Sequence, residues 1–168
     1  MKSQPYSDQK NWSNTYLTDP KLLELLGPFD TDPCVHTEMP WRTATTNMYN
    51  INDDGLSRNW EGRVFMNPPY RNVLQWAKKF IDSRDGIALL NGRSTETKAT
   101  QLIMERSVAI WFPKGRLSFF KPDGTPWHQK WFPSLLIGLS NMDLESFKTA
   151  QKVYGGMIYI KGEAYVGS

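Results

Sequence analysis

Cysteine and histidine are scarce in this sequence: its 168 residues include one cysteine, Cys34, and two histidines. A single thiol excludes a disulfide within the chain, and one cysteine with two histidines is too small a set for a structural zinc site. The sequence therefore predicts no metal centre. Long hydrophobic runs are also missing, since the longest apolar stretches span only a few residues. Nothing resembles a transmembrane helix or a signal peptide, and we expect a cytoplasmic protein.

The length and composition are those of an ordinary globular protein. Hydrophobic residues make up 39% of the chain and charged residues 22%, and the length suffices for a buried core. We expect one domain over residues 1–168, with its core at about 12–140 and a helix–strand extension at 141–168.

The net charge of +3 is unevenly distributed along the chain. Residues 1–66 carry six Lys/Arg and nine Asp/Glu, whereas residues 67–168 carry fourteen and eight. A basic half of this kind is typical of a surface that faces a polyanion such as DNA, although an ordinary solvated surface can show the same scatter.

The most informative stretch is a short apolar run, Val64 to Met66, that stops at Asn67-Pro68-Pro69-Tyr70. Proline cannot donate to a sheet ladder and fixes its own φ, so a strand must end here in a stiff corner. The pattern places Asn67 and Tyr70 at the carboxyl end of a strand, which is where ligands bind in open α/β sheets.

Such a corner suits methylation of a planar amino group. The Asn67 side-chain oxygen and the Pro68 carbonyl can accept the two N–H bonds of an exocyclic amine and stabilise the positive charge that develops during transfer. Tyr70 can stack on a base extruded from a duplex. A proline-rich turn with a packing tyrosine is the alternative interpretation.

Two acidic turns are further candidates for ligand binding. Asp30 and Asp32 flank the end of a short strand before Pro33, where a carboxylate can bind a ribose hydroxyl or an α-amino group. Asp54, followed by Gly55 and Leu56, can accept a bond from an adenine amino group while the leucine packs on the ring. Each turn, taken alone, is also typical of an Asp-rich surface turn that satisfies its own backbone.

The remaining pattern alternates helices with short buried strands. Asp19 and Pro20 begin a leucine-rich helix that ends at Gly27, and residues 35–50 are expected to be irregular. Trp76 is expected in the core, and 91–94 forms a loop on the same sheet edge as Asn67. The other predicted elements are a helix from a cap at Asn72 to about 84, strand 87–90, a helix capped by Thr95, strands 108–112 and 116–120, strand 134–139, helix 143–154 and strand 157–160.

Basic residues in several loops are candidate nucleic-acid contacts. The segment 121–133 mixes Lys130 with tryptophans, a composition that suits a single strand or an extruded base, or else an ordinary loop with its tryptophans tucked under it. His128 has no visible partner and receives no catalytic role. The candidate contacts are Arg71, Arg93, Lys114, Arg116 and Lys130.

Together these motifs, in order and spacing, resemble the phage-type Dam-like DNA adenine-N6 methyltransferases over roughly residues 12–140. The matching segments are Tyr16-x-Thr18-x-Pro20, Phe29 to Cys34, Asp53 to Leu56, Trp60, Gly62 to Tyr70, Trp76, Leu89-Leu90, the Arg93 loop, Gly115-Arg116-Leu117-x-Phe119 and the strand at 134–139.

The resemblance implies a Rossmann-like methyltransferase fold, in which a mostly parallel sheet has one reversed strand near its end. It also implies S-adenosylmethionine as methyl donor and the adenine amino group of double-stranded DNA as acceptor. Carried onto this chain, Asn67, Pro68, Pro69 and Tyr70 form the catalytic corner. The residues expected to line the donor site are Thr18, Asp30, Asp32, Pro33, Asp54, Gly55 and Leu56.

The chain departs from the methyltransferase pattern in three ways. Asp32-Pro33-Cys34 stands where a glycine-rich loop usually follows the first strand, and Tyr16 and Asp19 alter the N-terminal motif. There is no room for a large target-recognition domain, so discrimination would fall to loops such as 34–50 and 121–133. Alternative functions are methylation of cytosine N4 or of a protein glutamine, or DNA binding without catalysis.

Overall fold

The computed structural model describes residues 16–127 and 133–162. Trp12, His128 and Lys130 lie outside the described residues. In chain order the described elements are β1 (Leu17–Thr18), α1 (Pro20–Leu26), β2 (Thr31–Asp32), β3 (Asn47–Met48), β4 (Val64–Met66), α2 (Val73–Phe80), β5 (Gly86–Asn91), α3 (Lys98–Arg106), β6 (Ala109–Phe112), β7 (Phe119–Phe120), β8 (Pro126–Trp127), β9 (Ser134–Gly138), α4 (Asn141–Tyr154) and β10 (Met157–Ile160).

Seven strands form the main sheet in the order β10-β6-β9-β5-β4-β2-β3. Strands β3, β2, β4 and β5 are parallel neighbours, and β9 is antiparallel to both β5 and β6. At the edge, β10 is antiparallel to β6. The expected α/β class is therefore confirmed, but the sheet has two reversed strands, β9 and β10, where one is expected.

Alternation along the central strands divides the core between the two faces of the sheet. In β4, Val64 and Met66 point to one face and Phe65 to the other, because successive side chains in a strand alternate. On the first face these residues pack with Phe80 of α2 and Ile103 of α3. Helices α1 and α4 cover the second face, so the sheet is sandwiched between helices.

Helix α1 begins as the sequence predicts. The Asp19 carboxylate accepts the Lys21 N–H at 2.9 Å, and Pro20 occupies the first turn. Leu22, Leu23 and Leu26 are buried, and the helix ends at Gly27.

Four local predictions need correction. The second helix begins after Asn72, as expected, although Asn72 has a left-handed conformation (φ 59°) and makes no side-chain capping bond; the helix ends at Phe80 instead of about 84. The cap of α3 is Thr97, whose hydroxyl accepts the Thr100 N–H, and not Thr95. The strand expected at 116–120 is reduced to Phe119–Phe120. Residues 35–50 are mostly irregular but contain the short strand β3.

Strand β7 belongs to a second, three-stranded sheet. It pairs with β1 on one side and with β8 on the other, both antiparallel. Leu17 pairs with Phe120 across a sequence separation that no local pattern reveals. This small sheet carries Tyr16, Phe119 and Trp127 to the cavity described below.

At the amino ends of β4 and β5, a buried ion pair ties the layers together. The Arg63 guanidinium lies 2.8 Å from the Asp143 carboxylate and donates to the carbonyls of Leu26 and Pro28. Asp143 also accepts the backbone N–H groups of Gly86 and Leu139. This Arg63–Asp143 clamp therefore links α1, β4, β5 and α4.

Within the described residues, no helix is long and apolar enough to cross a membrane.

Candidate substrate site at the carboxyl edge of the sheet

The proline corner forms where β4 ends, as the sequence predicts. Asn67 follows the last residue of the strand, Pro68 is buried, and Tyr70 is 53% exposed at the turn into α2. Because β5 runs parallel to β4, the loop after Asn91 lies at the same edge. The expected placement of residues 91–94 beside the corner is confirmed.

A cavity of about 400 Å³ opens against this corner. That volume lies within the range of small-molecule sites, and the lining is largely apolar with a few polar groups. Its lining residues come from the corner, the end of β5, the start of α3 and the small sheet: Tyr16, Asn67, Pro68, Tyr70, Val73, Leu74, Leu89, Leu90, Asn91, Ser94, Thr97, Lys98, Ala99, Leu117, Phe119, Trp127 and Ser134.

The Asn67 side chain is oriented by a residue from β1. Its Nδ2 donates to the Thr18 hydroxyl at 3.4 Å, while its backbone carbonyl accepts the Cys34 thiol at 3.2 Å. Among residues 16–127 and 133–162, no donor hydrogen-bonds the Asn67 Oδ1 or the Pro68 carbonyl. Two acceptor oxygens at the cavity therefore remain available to a ligand that carries N–H groups.

A second, smaller cavity of about 30 Å³ adjoins the first, and Tyr16 and Asn67 line both. Thr18, Asp32 and Cys34 also line the smaller one. This volume holds one water molecule or a group of similar size. Asn67 therefore borders both cavities.

Asp32 gives the smaller cavity its electrostatic character. Its side chain is only 4% exposed, and its carboxylate accepts the Cys34 N–H at 3.1 Å. Burial raises the pKa of Asp32 to about 6, and the Thr43 hydroxyl and the Cys34 N–H offset this only in part. The Thr43 hydroxyl lies near the carboxylate but makes no hydrogen bond of acceptable geometry. A buried carboxylate with so raised a pKa is typical of a ligand site.

The thiol of Cys34 stays protonated at neutral pH. Burial and the neighbouring Asp32 carboxylate raise the pKa of Cys34 well above its usual value. Its S–H therefore remains a donor to the Asn67 carbonyl, which supports the backbone of the corner.

The other predicted donor-site residues are only partly brought together. Gly55 packs against the Pro33 carbonyl so closely that a Cβ would collide with it, which places Asp54 and Leu56 beside the Asp32 turn. Asp54 is exposed and Leu56 half-buried.

Asp30 does not reach this edge. It precedes β2, and its carboxylate accepts the Arg63 N–H at 2.7 Å, at the amino end of the sheet. The expectation that both carboxylates lie at the end of the strand is therefore wrong for Asp30, because the strand comprises only Thr31–Asp32.

Aromatic residues of the small sheet form one wall of the cavity. The sequence singled out the tryptophans of 121–133 as suited to an extruded base, but it did not predict that Trp127 would meet Tyr16 and Phe119 here. Trp127 meets Tyr16 edge-on at 5.0 Å between ring centroids, and the Lys121 ammonium lies 5.4 Å from the Trp127 ring. Phe119 lines the same cavity. Partial burial and the proximity of Tyr16 raise the pKa of Tyr70 to about 12, so its hydroxyl is neutral. The sequence signal was the motif Leu117-x-Phe119, whose pairing with β1 is non-local.

The predicted basic contacts are scattered around the same edge. Arg71 follows the corner and Arg93 follows β5, and both are exposed. Lys98, which was not predicted, lines the cavity at the start of α3.

Two further basic candidates, Lys114 and Arg116, lie in the loop after β6. Because β6 runs parallel to β5, this loop is at the same edge of the sheet. Lys114 and Arg116 are exposed after β6, and Lys114 packs against the Gly155–Gly156 turn near the edge strand. Lys130 lies outside the described residues. Within the described part of the chain, no group of three or more His, Cys, Asp or Glu side chains is arranged to hold a metal ion.

Comparison with protein-family models, with curated proteins and with solved structures gives no match for this chain.

Proposed function

We propose that this protein transfers a methyl group from S-adenosylmethionine to the exocyclic N6 amino group of adenine in DNA. The observation that carries the proposal is that Asn67, the first residue of the proline corner, lines two neighbouring cavities. The larger cavity has aromatic walls suited to a flat ring, and the smaller contains a buried carboxylate suited to a cationic group.

The acceptor side of the reaction depends on the proline corner. An aromatic amino nitrogen is a poor nucleophile because its lone pair is delocalised into the ring. The Asn67 Oδ1 and the Pro68 carbonyl would accept its two N–H bonds and stabilise the positive charge that develops on the nitrogen. The hydrogen bond from Nδ2 to Thr18 orients the amide so that the oxygen is the atom left for the substrate. Tyr70 would stack on the ring of an extruded base.

The residues around the smaller cavity fit the charged end of the methyl donor. Asp32 supplies a carboxylate for an ammonium group, and Thr18 adds a hydroxyl. The cavity admits an ammonium-sized group, so the nucleoside part would lie outside it, along the Asp54–Leu56 turn that packs on Pro33. When bound, S-adenosylmethionine supplies an electrophilic methyl group on a sulfonium.

The order of the main sheet supports a Rossmann-like methyltransferase fold. Four parallel strands are followed by β9, a reversed strand inserted between β5 and β6. This is the arrangement that the resemblance implies, apart from the additional edge strand β10.

The charge at the cavity mouth suits a polyanionic substrate. Arg93 and Lys98 are exposed there, and Arg71 follows the corner. Phosphate contacts by such side chains would hold the duplex while the target base enters the cavity.

Methylation mapping of DNA from cells that express the protein tests the proposal. We expect N6-methyladenine in a defined sequence context, and a strongly reduced level of it in cells that express Asn67→Ala. Radiolabelled donor offered to purified DNA and to protein, followed by nucleoside analysis, separates adenine N6 from cytosine N4 and from glutamine. Calorimetry with the donor separates an enzyme from a binding module: absence of methylation together with absence of donor binding would refute the proposal.

A further inference from the structure

We infer that Asn91 and Ser134 form a second polar edge of the large cavity, which donates hydrogen bonds to ring nitrogens of the target base. This inference rests on the proposed function and deepens it, because it assigns the residues that distinguish adenine from cytosine. We refer to the pair as the Asn91–Ser134 edge.

The sheet register places the two side chains together. Asn91, the last residue of β5, pairs directly with Ser134, the first residue of β9. Directly paired residues of antiparallel strands project to the same face, and both residues line the large cavity. One residue further on, the Gly92 N–H donates to the Pro133 carbonyl at 2.8 Å, which holds the two strand ends together.

Among residues 16–127 and 133–162, neither side chain has an acceptor for one of its donor groups. The Arg93 N–H donates to Asn91 Oδ1 at 2.9 Å, so the amide orientation is fixed and Nδ2 is the free end. Ser134 is only 7% exposed, yet its hydroxyl has no hydrogen-bond partner among the described residues. Asn91 Nδ2 and the Ser134 hydroxyl are not among the unpaired polar atoms that are fully enclosed in the described part of the chain. Each therefore keeps some accessible surface. A polar group buried in this way costs free energy unless a ligand or water satisfies it.

The spacing leaves room for a base between this edge and the proline corner. Met66 is level with Ala88 in the β4–β5 register, so Asn91 lies two residues beyond the level of Asn67. At the rise of an extended strand this is about 7 Å. A flat ring whose amino group binds Asn67 and Pro68 would therefore present other ring atoms to Asn91 and Ser134.

The chemistry of two donors selects a purine. Adenine has ring-nitrogen acceptors on both sides of its amino group, whereas cytosine has one acceptor and a C–H. A site with two unsatisfied donors discriminates against a base that leaves one of them unpaired.

The experiment measures nucleoside binding to the full chain by NMR, which does not require methyl transfer. The ligands are adenosine, cytidine and the 1-, 3- and 7-deaza analogues of adenosine, each of which lacks one ring nitrogen. The variants are Ser134→Ala and Asn91→Asp, the latter keeping the oxygen that accepts the Arg93 N–H. Ser83→Ala, in the turn after α2 and away from the cavity lining, is the matched control.

We expect each variant to weaken adenosine binding by about three- to tenfold, the contribution of one neutral hydrogen bond, and the control to leave it unchanged. At least one deaza analogue should bind the wild type more weakly than adenosine does. The binding of that analogue should not change further when one of the two side chains is substituted. Equal binding of adenosine and cytidine by the wild type, or unchanged adenosine binding in both variants, would overturn the inference.

Methylation assays on the same samples separate the two proposals. If adenine is methylated and adenosine binding is unchanged in both variants, the recognition role of the Asn91–Ser134 edge is refuted and the proposed function still stands. Adenosine binding that depends on both side chains, without any methyl transfer, would support the edge and refute the proposed reaction.

Discussion

The Asn67 side chain combines an oxygen acceptor with an N–H that is already bound to Thr18. If the oxygen stabilises charge on the substrate nitrogen, removing it should slow transfer without disturbing the methyl donor. For Asn67→Ala we expect kcat to fall about 10²- to 10³-fold, the effect seen when one preorganised electrostatic group is removed.

Asn67→Asp is the matched variant, because it keeps an oxygen at the same position and loses the donor to Thr18. Its kcat should fall clearly less than that of the alanine variant. For both variants, calorimetry should give a Kd for S-adenosylmethionine within a few-fold of the wild-type value. Equal losses of kcat in the two variants would show that the oxygen has no special role.

The buried Asp32 carboxylate makes folding stability depend on pH in an unusual direction. Its pKa is raised from 3.8 to about 6 in the folded protein, so the folded state binds the proton more tightly than the unfolded state. The contribution of protonated Asp32 to the free energy of unfolding is fully present below pH 3.8 and is lost as the pH rises through 6. Ionisation of the buried carboxyl then costs about 3 kcal/mol of stability.

Asp32→Asn removes this ionisation and keeps an oxygen for the Cys34 N–H. We expect the variant to be more stable than the wild type at pH 7.5 and the difference to shrink as the pH falls toward 4, as measured by urea unfolding. Binding of S-adenosylmethionine should weaken in the same variant. A stability difference that is independent of pH would contradict the burial of an ionisable carboxylate here.

At the scale of secondary-structure elements, the Arg63–Asp143 clamp holds the layers at the edge opposite the cavity. Asp143 accepts the N–H groups of Gly86 in β5, of Leu139 after β9 and of Ser140 at the start of α4. Its removal therefore leaves a buried guanidinium without its counter-charge and three N–H groups without their acceptor. Breaking one partner of a buried pair typically costs about 3–5 kcal/mol. We expect a loss of that size in the free energy of unfolding for Asp143→Ala.

The exposed pair of Glu145 and Lys148 on the same helix provides the comparison. Its ammonium–carboxylate distance is also 2.8 Å, but both groups are in water. Glu145→Ala should therefore change the free energy of unfolding by no more than about 1 kcal/mol. Similar losses in the two variants would mean that burial does not determine the strength of the clamp.

The sequence predicts those elements best whose signals are local. Asp19 and Pro20 define the start of α1, and the prolines after Asn67 define the end of β4. Thr95 and Thr97 are equivalent by composition, and only the bond from Thr100 shows that the second is the cap. The two-residue strands β1 and β7 exist because they pair with each other, and the sequence separation hides that pairing.

The distinction between local and non-local signals also holds for the candidate site. The corner and the loop after β5 were predictable because parallel strands bring their carboxyl ends to one edge. The wall of Tyr16, Phe119 and Trp127 was not, since it depends on the second sheet. Asp30 was misplaced because the strand it was assigned to is two residues long.

At the scale of the whole molecule, DNA binding should depend on which edge of the sheet carries the charge. Arg93 follows β5 at the cavity edge, whereas Arg84 precedes β5 at the opposite edge, and both are exposed. Alanine at either position removes one positive charge, so a purely global charge effect would be the same for both. If the phosphates contact the cavity edge, Arg93→Ala should weaken duplex binding at every sequence and reduce the slope of log K against log salt by about 1, the value for one lost phosphate contact. Arg84→Ala should leave the slope nearly unchanged. Fluorescence anisotropy with a labelled duplex over a range of salt concentrations measures both, and equal slopes for the two variants would exclude the carboxyl edge as the DNA-binding surface.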